Sequence, residues 1–149
     1  MELSYERHGS GDPLVLVHGI TERGESWRPL VAPLAERHDV LIVDLRGHGS
    51  SPTGDFYDPR TMAADVHDTV TAAGFDHAKP PVMIGHSLGG IVVTAYASGF
   101  ATRGVINVDQ PLRLASFKAT LGQIEPMVRD AATFAAAIGM VFSMMNGPL

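Results

Sequence analysis

Val82-Met83-Ile84-Gly85-His86-Ser87-Leu88-Gly89-Gly90 decides the fold of this chain. A short apolar run with two β-branched residues leads straight into a serine set between glycines. An apolar stretch continues from there to residue 100. The pattern reads as strand, tight turn and helix. Such a turn crowds the positions beside the serine, so Gly85 and Gly89, which lack side chains, suit them. The serine hydroxyl then stands exposed above the sheet. The first N–H groups of the following helix, and the positive end of its dipole, favour negative charge at that spot. A G-x-S-x-G in this setting is a nucleophile elbow, with Ser87 as the candidate nucleophile.

Residues 14–17 (LVLV), 40–43 (VLIV) and 105–108 (VINV) repeat the short apolar type. Runs like these read as strands buried on both faces, the mark of a parallel sheet. Residues 3–7 alternate instead and suit an edge. Helical spacing lies between the runs. Trp27, Leu30, Val31 and Leu34 fall on one face of residues 26–37, and Met62, Val66 and Val70 on one face of residues 61–73, which Gly74 should close. Strands alternating with helices predict an α/β fold: a mostly parallel sheet with helices on both faces and right-handed crossovers. Residues 112–145 hold no convincing strand. They read as Ala-rich and Met-rich helix, broken near Pro126.

Composition narrows the function classes. The 149 residues are 45% hydrophobic and 18% charged, which is globular. Sixteen acidic against eleven basic residues give a net charge of -5, so no nucleic-acid partner is expected. There is no cysteine, which excludes disulfides and thiolate chemistry. No secretory leader is visible at the N-terminus, and the longest apolar stretch, about 15 residues, is too short for a membrane span. The expectation is a soluble, cytoplasmic protein.

Two other post-strand loops matter. His18-Gly19-Ile20 follows residues 14–17, and oxyanion stabilisation usually needs two backbone donors. The N–H of Leu88 and the N–H of Ile20 are the candidates. Gly19 permits a close backbone approach, and His18 reads as a buried structural histidine. Asp44-Leu45-Arg46-Gly47-His48-Gly49-Ser50-Ser51 reads as a structural loop, with Asp44 bonding nearby backbone N–H groups or Arg46.

HGI, DLRGHGSS and GHSLGG in this order resemble the α/β-hydrolase superfamily, more narrowly its serine esterase, lipase and cofactor-free haloperoxidase-like members. The resemblance covers about residues 3–110. It implies Ser87 as nucleophile, the Ile20 and Leu88 amides as oxyanion hole, and no metal or organic cofactor. Serine rather than aspartate at the elbow implies an acyl-enzyme on small ester-type substrates, not epoxide or haloalkane chemistry.

The chain also departs from that pattern. A serine nucleophile needs a base, and the family's histidine follows the nucleophile in sequence. The seven histidines here, His8, His18, His38, His48, His67, His77 and His86, include none after Ser87. His86 neighbours Ser87, but its side chain should diverge from the hydroxyl. Asp109, at the end of a strand, is the candidate triad acid. The family pattern therefore implies an N-terminal half, truncated after about the sixth strand. Residues 1–111 form part of the core, and residues 112–149 begin a cap, or lid, or serve as a dimerisation element. Met140, Met144 and Met145 suit either role. An unpaired sheet edge would call for a complementary C-terminal fragment or a second copy of the chain. The rival reading is a catalytically incomplete half-domain that self-associates or binds a ligand or partner. A second rival keeps Ser87 for perhydrolysis, acyl transfer or carbon–carbon hydrolysis.

Overall fold

Residues 1–75, 78–108, 122, 125–127, 129–137 and 139 are described here by a computed structural model. The chain divides into two compact units, Met1–Gln110 and Pro111–Leu149. The first holds β1 (Tyr5–Gly9), β2 (Asp12–Val17), α1 (Arg28–Ala35), β3 (His38–Val43), α2 (Pro59–Ala72), β4 (Val82–His86), α3 (Leu88–Gly99) and β5 (Gly104–Val108). In the second, residues 125–127 and 134–137 are helical, Arg129 pairs with Glu125 at 2.8 Å, and Thr133 donates to the Met127 carbonyl at 2.8 Å. The rest of the helical pattern expected over residues 112–145, with Met140, Met144 and Met145, lies outside the described residues.

The five strands form one sheet in the order β1-β3-β2-β4-β5. β1 runs antiparallel to β3, and every other pair is parallel. The expected α/β architecture is therefore present. β2 and β3 are buried on both faces, as their unbroken apolar runs require, while β4 is fully buried on one face only. Residues 105–108, expected to be buried in the same way, form β5 at the edge of the described sheet, which leaves Ile106 and Val108 exposed. Val15, Val17, Leu41 and Val43 point to the face covered by α2 and α3, where Met62, Val66, Val92, Val93 and Tyr96 complete a core. Leu14, Leu16, Val40 and Ile42 point to the opposite face and pack with Trp27, Val31 and Leu34. Each such side chain taken fully out of water contributes about 2 kcal/mol. This burial, more than local propensity, fixes β2 and β4 side by side.

Helix boundaries differ from the periodic reading where caps and prolines intervene. The helix expected over residues 26–37 is a 3₁₀ turn, Gly24–Trp27, followed by α1. Pro29 sits in the first turn of α1, where a missing N–H costs nothing, but Pro33 inside it removes a hydrogen bond and keeps the helix short. α2 begins two residues earlier than expected. Asp58 Oδ1 accepts the Arg60 and Thr61 N–H groups at 3.0 and 3.1 Å, and Pro59 fills the first helical position. Its end is the one expected. Gly74 is left-handed at φ +77°, the Phe75 N–H reaches the Val70 carbonyl at 3.3 Å, and the Gly74 N–H reaches Thr71 at 3.0 Å, a Schellman closure.

Candidate active site

From β2 the chain winds to β3 on one side; from β3 it crosses back to β4 on the other side of β2. The loops leaving β2 and β4 therefore diverge above adjacent carboxyl ends, where Val17 pairs with Gly85. Open α/β sheets bind ligands at this kind of crevice. The two motifs singled out in the sequence, His18-Gly19-Ile20 and Gly85-His86-Ser87, are the loops that flank it.

The elbow is sterically exacting. Ser87 has φ 49° and ψ -115°, the only positive-φ non-glycine among the described residues. That conformation costs a non-glycine residue about 1–3 kcal/mol, held in place by its surroundings. A Cβ on Gly85 would run into the Gly89 carbonyl and come within 2.6 Å of the Gly90 nitrogen. A Cβ on Gly89 would run into the Val17 carbonyl and come within 2.7 Å of the His18 oxygen. The two glycines let the start of α3 lie directly on the end of β2. Ser87 is half-buried, and its own N–H donates to Val108 of β5 at 2.9 Å. Leu88 opens α3, so its N–H lies ahead of the helix's own acceptors.

The loop after β2 is pinned at nearly every polar group. The Leu45 N–H donates to His18 Nε2 at 2.9 Å, so that nitrogen carries the lone pair. His18 Nδ1 therefore carries the proton and donates to the Gly19 carbonyl at 2.7 Å. The ring is completely buried and neutral, the structural role expected of it. Burial, reinforced by nearby His48, holds its pKa below the usual 6.5. His48 Nε2 lies 2.8 Å from the Ile20 carbonyl and its Nδ1 2.9 Å from that of Arg46. The Ile20 N–H donates to nothing among the described residues, and its side chain is 64% exposed.

His18 yields a stability prediction. Below pH 6.5 the unfolded chain takes up a proton at His18 and the folded one does not, so folding weakens as pH falls. His18→Asn keeps a donor for Gly19 but strands the buried Leu45 N–H. It should cost about 2 kcal/mol at pH 7.5. The loss of stability between pH 7.5 and 5.5 should also be smaller than in the wild type, measured by urea midpoints.

Glu22 is the residue that motif reading missed. Its Oε2 accepts the Gly19 N–H at 2.8 Å and lies 3.0 Å from His86 Nδ1. Its own N–H returns to the Gly19 carbonyl at 3.1 Å. Burial works against its ionisation, but Gly19 and His86 outweigh that and hold its carboxyl below the ordinary 4.5. The signal available in sequence was the spacing: an acid three residues after a turn-opening glycine, as in a capping box. His86 Nδ1 is engaged with Glu22.

Among the described residues the Asp44 carboxylate bonds backbone only. Its two oxygens accept the Gly24 and Ser50 N–H groups at 2.7 and 2.9 Å. Arg46 goes elsewhere, to buried Asp65 at 2.5 Å. Asp109 and His77 lie outside the described residues. No histidine among the described residues hydrogen-bonds the Ser87 hydroxyl. No group of three His, Asp or Glu side chains among them is placed to share a metal ion, and no helix among them is long and apolar enough to cross a membrane.

A strained serine at the switch point of a mostly parallel sheet, opposite a glycine loop with a free amide, is the arrangement of the α/β hydrolases. The alpha/beta hydrolase family model matches residues 14–147, and the chain belongs to that family. It is 42% identical over 98 residues to a soluble epoxide hydrolase of Corynebacterium sp. (strain C12), covering 64% of this chain and 32% of that protein. It is 37% identical over 86 residues to esterase YbfF of Escherichia coli (strain K12), covering 58% and 33%. A thermophilic esterase from Thermogutta terrifontis superposes with a TM-score of 0.76 at 26% identity, over 98% of this chain and 57% of that one. The chain spans about a third of the length of the curated relatives it matches.

Proposed function

We propose that this chain carries the nucleophile and oxyanion hole of a serine hydrolase acting on small carboxylic-ester-type substrates. The observation that carries the reading is Ser87, held at φ 49° between the carboxyl end of β4 and the N-terminus of α3. Strain of that kind is kept where a hydroxyl must be presented. The esterases among the relatives and solved structures support the substrate class.

In this mechanism Ser87 Oγ attacks the acyl carbonyl carbon and gives up its proton to a base. The carbonyl oxygen takes the negative charge and rests on the Ile20 and Leu88 N–H groups. Collapse expels the alcohol, which receives the proton, and leaves an acyl-Ser87 ester. Water, deprotonated by the same base, cleaves it and releases the acid. Neither buried His18 nor His86 is free to be that base; each is committed to another partner. The base in this reading is a histidine not in this chain, carried by a complementary fragment, with Asp109 as candidate acid. Residues 112–149 are read as the start of a cap or as a dimerisation element.

A fluorophosphonate probe tests the reading. Rapid labelling of the protein purified together with the chain that supplies the base, lost in Ser87→Ala, is expected. A wild type that labels no faster than free serine would favour the second reading, a binding module that keeps the scaffold without the chemistry. The observation behind that alternative is that no described histidine hydrogen-bonds the Ser87 hydroxyl.

A further inference from the structure

Four contacts hold the backbone of Gly19 and Ile20, two of them on the carbonyl of the peptide that joins the two residues. The Gly19 carbonyl accepts from His18 Nδ1 and from the Glu22 N–H, the Gly19 N–H is taken by the Glu22 carboxylate, and the Ile20 carbonyl faces His48 Nε2. A trans peptide is planar, with its C=O and N–H on opposite sides. Two donors on the Gly19 oxygen therefore aim the Ile20 N–H the other way. Glu22 acts on Gly19 from both sides: its N–H donates to the Gly19 carbonyl, and its carboxylate accepts the Gly19 N–H of the preceding peptide. Its carboxylate then continues to His86, the residue before Ser87, so one side chain ties the oxyanion loop to the elbow.

A carboxylate is a costly tie in this place. Its negative charge opposes any negative charge developing between Ile20 and Leu88, and its half-buried position forfeits hydration. The cost makes sense if what it secures is registration between two loops carried on separate strands. Van der Waals contact alone leaves that registration loose: a Cβ added at Gly19 would meet His86 Nδ1 at 3.1 Å and Glu22 Oε2 at 3.2 Å, both side-chain atoms able to move.

We propose that Glu22 and His86 are positioning residues, a clasp that fixes the Ile20 N–H relative to Ser87 so that both oxyanion donors converge. The proposal rests on the reading of Ser87 as nucleophile. It makes Glu22 a holder of geometry, not a proton carrier. The useful property is then the acceptor oxygen and not the charge.

The test compares Glu22→Ala, Glu22→Gln and wild type with p-nitrophenyl acetate and a fluorophosphonate. An oxyanion donor is worth about 10²–10³ in turnover, and misaiming one forfeits part of that. Glu22→Ala should lose about 30–100-fold in kcat with KM within about twofold, because the donor matters only when charge develops. Glu22→Gln keeps an acceptor for the Gly19 N–H and should recover most of the loss. The second readout needs no turnover: the Gly19 amide resonance should move in Glu22→Ala and stay close to its wild-type position in Glu22→Gln. A wild-type kcat in Glu22→Ala, with rapid Ser87 labelling, would overturn the clasp alone. An unmoved Gly19 amide in Glu22→Ala would do the same. Glu22→Gln as damaged as Glu22→Ala would point to charge and also overturn it. A wild type that neither labels nor turns over would remove the nucleophile reading and the inference with it.

Discussion

Ser87→Ala is expected to lower ester turnover by at least about 10³-fold, to the level that binding and the oxyanion donors supply without a nucleophile. KM should change little, because the hydroxyl adds little to ground-state binding. The variant should also fold normally. Alanine keeps the Cβ, so the strain at φ 49° is unchanged and no contact in the core is lost. Ser87→Gly separates chemistry from stability. It should be equally inactive yet more stable than wild type by about 1 kcal/mol, since glycine adopts a positive φ without the Cβ penalty. Initial rates with p-nitrophenyl acetate and urea midpoints measure both. Retained turnover in Ser87→Ala would sink the acyl-enzyme mechanism.

Gly89→Ala should damage folding rather than chemistry. The new Cβ meets the Val17 carbonyl and the His18 oxygen, both backbone atoms at the end of a central strand. A flexible side chain could swing aside, but strand backbone paired on both sides cannot. Overpacking of this kind costs about 3 kcal/mol, a large share of the stability of a domain this size. The variant should show a lower urea midpoint, or fail to accumulate as soluble protein. Gly99→Ala is the internal control: nothing lies within 4 Å of the site of its Cβ. A Gly89→Ala variant as stable as Gly99→Ala would contradict the packing of α3 on β2.

The fold was legible because its strands announce themselves. Residues 14–17 and 40–43 are apolar at consecutive positions, and only two-faced burial explains that. The elbow was legible for a related reason: glycine at 85 and 89 is what a helix start pressed on a strand requires. Less visible was the chemistry between loops. Glu22 and His86 are 64 positions apart, and only the neighbouring placement of β2 and β4 brings them within 3.0 Å. Asp44 showed the same limit. Sequence placed it near either Arg46 or backbone N–H groups, and distance in space assigned Arg46 to Asp65 instead. Boundaries moved where a single residue intervened: Asp58 lengthened α2 by capping it, and Pro33 shortened α1.

The geometry of Ser87 also bears on how such a chain drifts over generations. A residue at φ 49° lowers the fitness of the folded state at every temperature, whether or not its hydroxyl is ever used. Without a demand for that hydroxyl, mutation would be drawn toward glycine at this position, since stability and freedom from strain favour it together. A glycine there would relax the backbone and give up the hydroxyl in the same step.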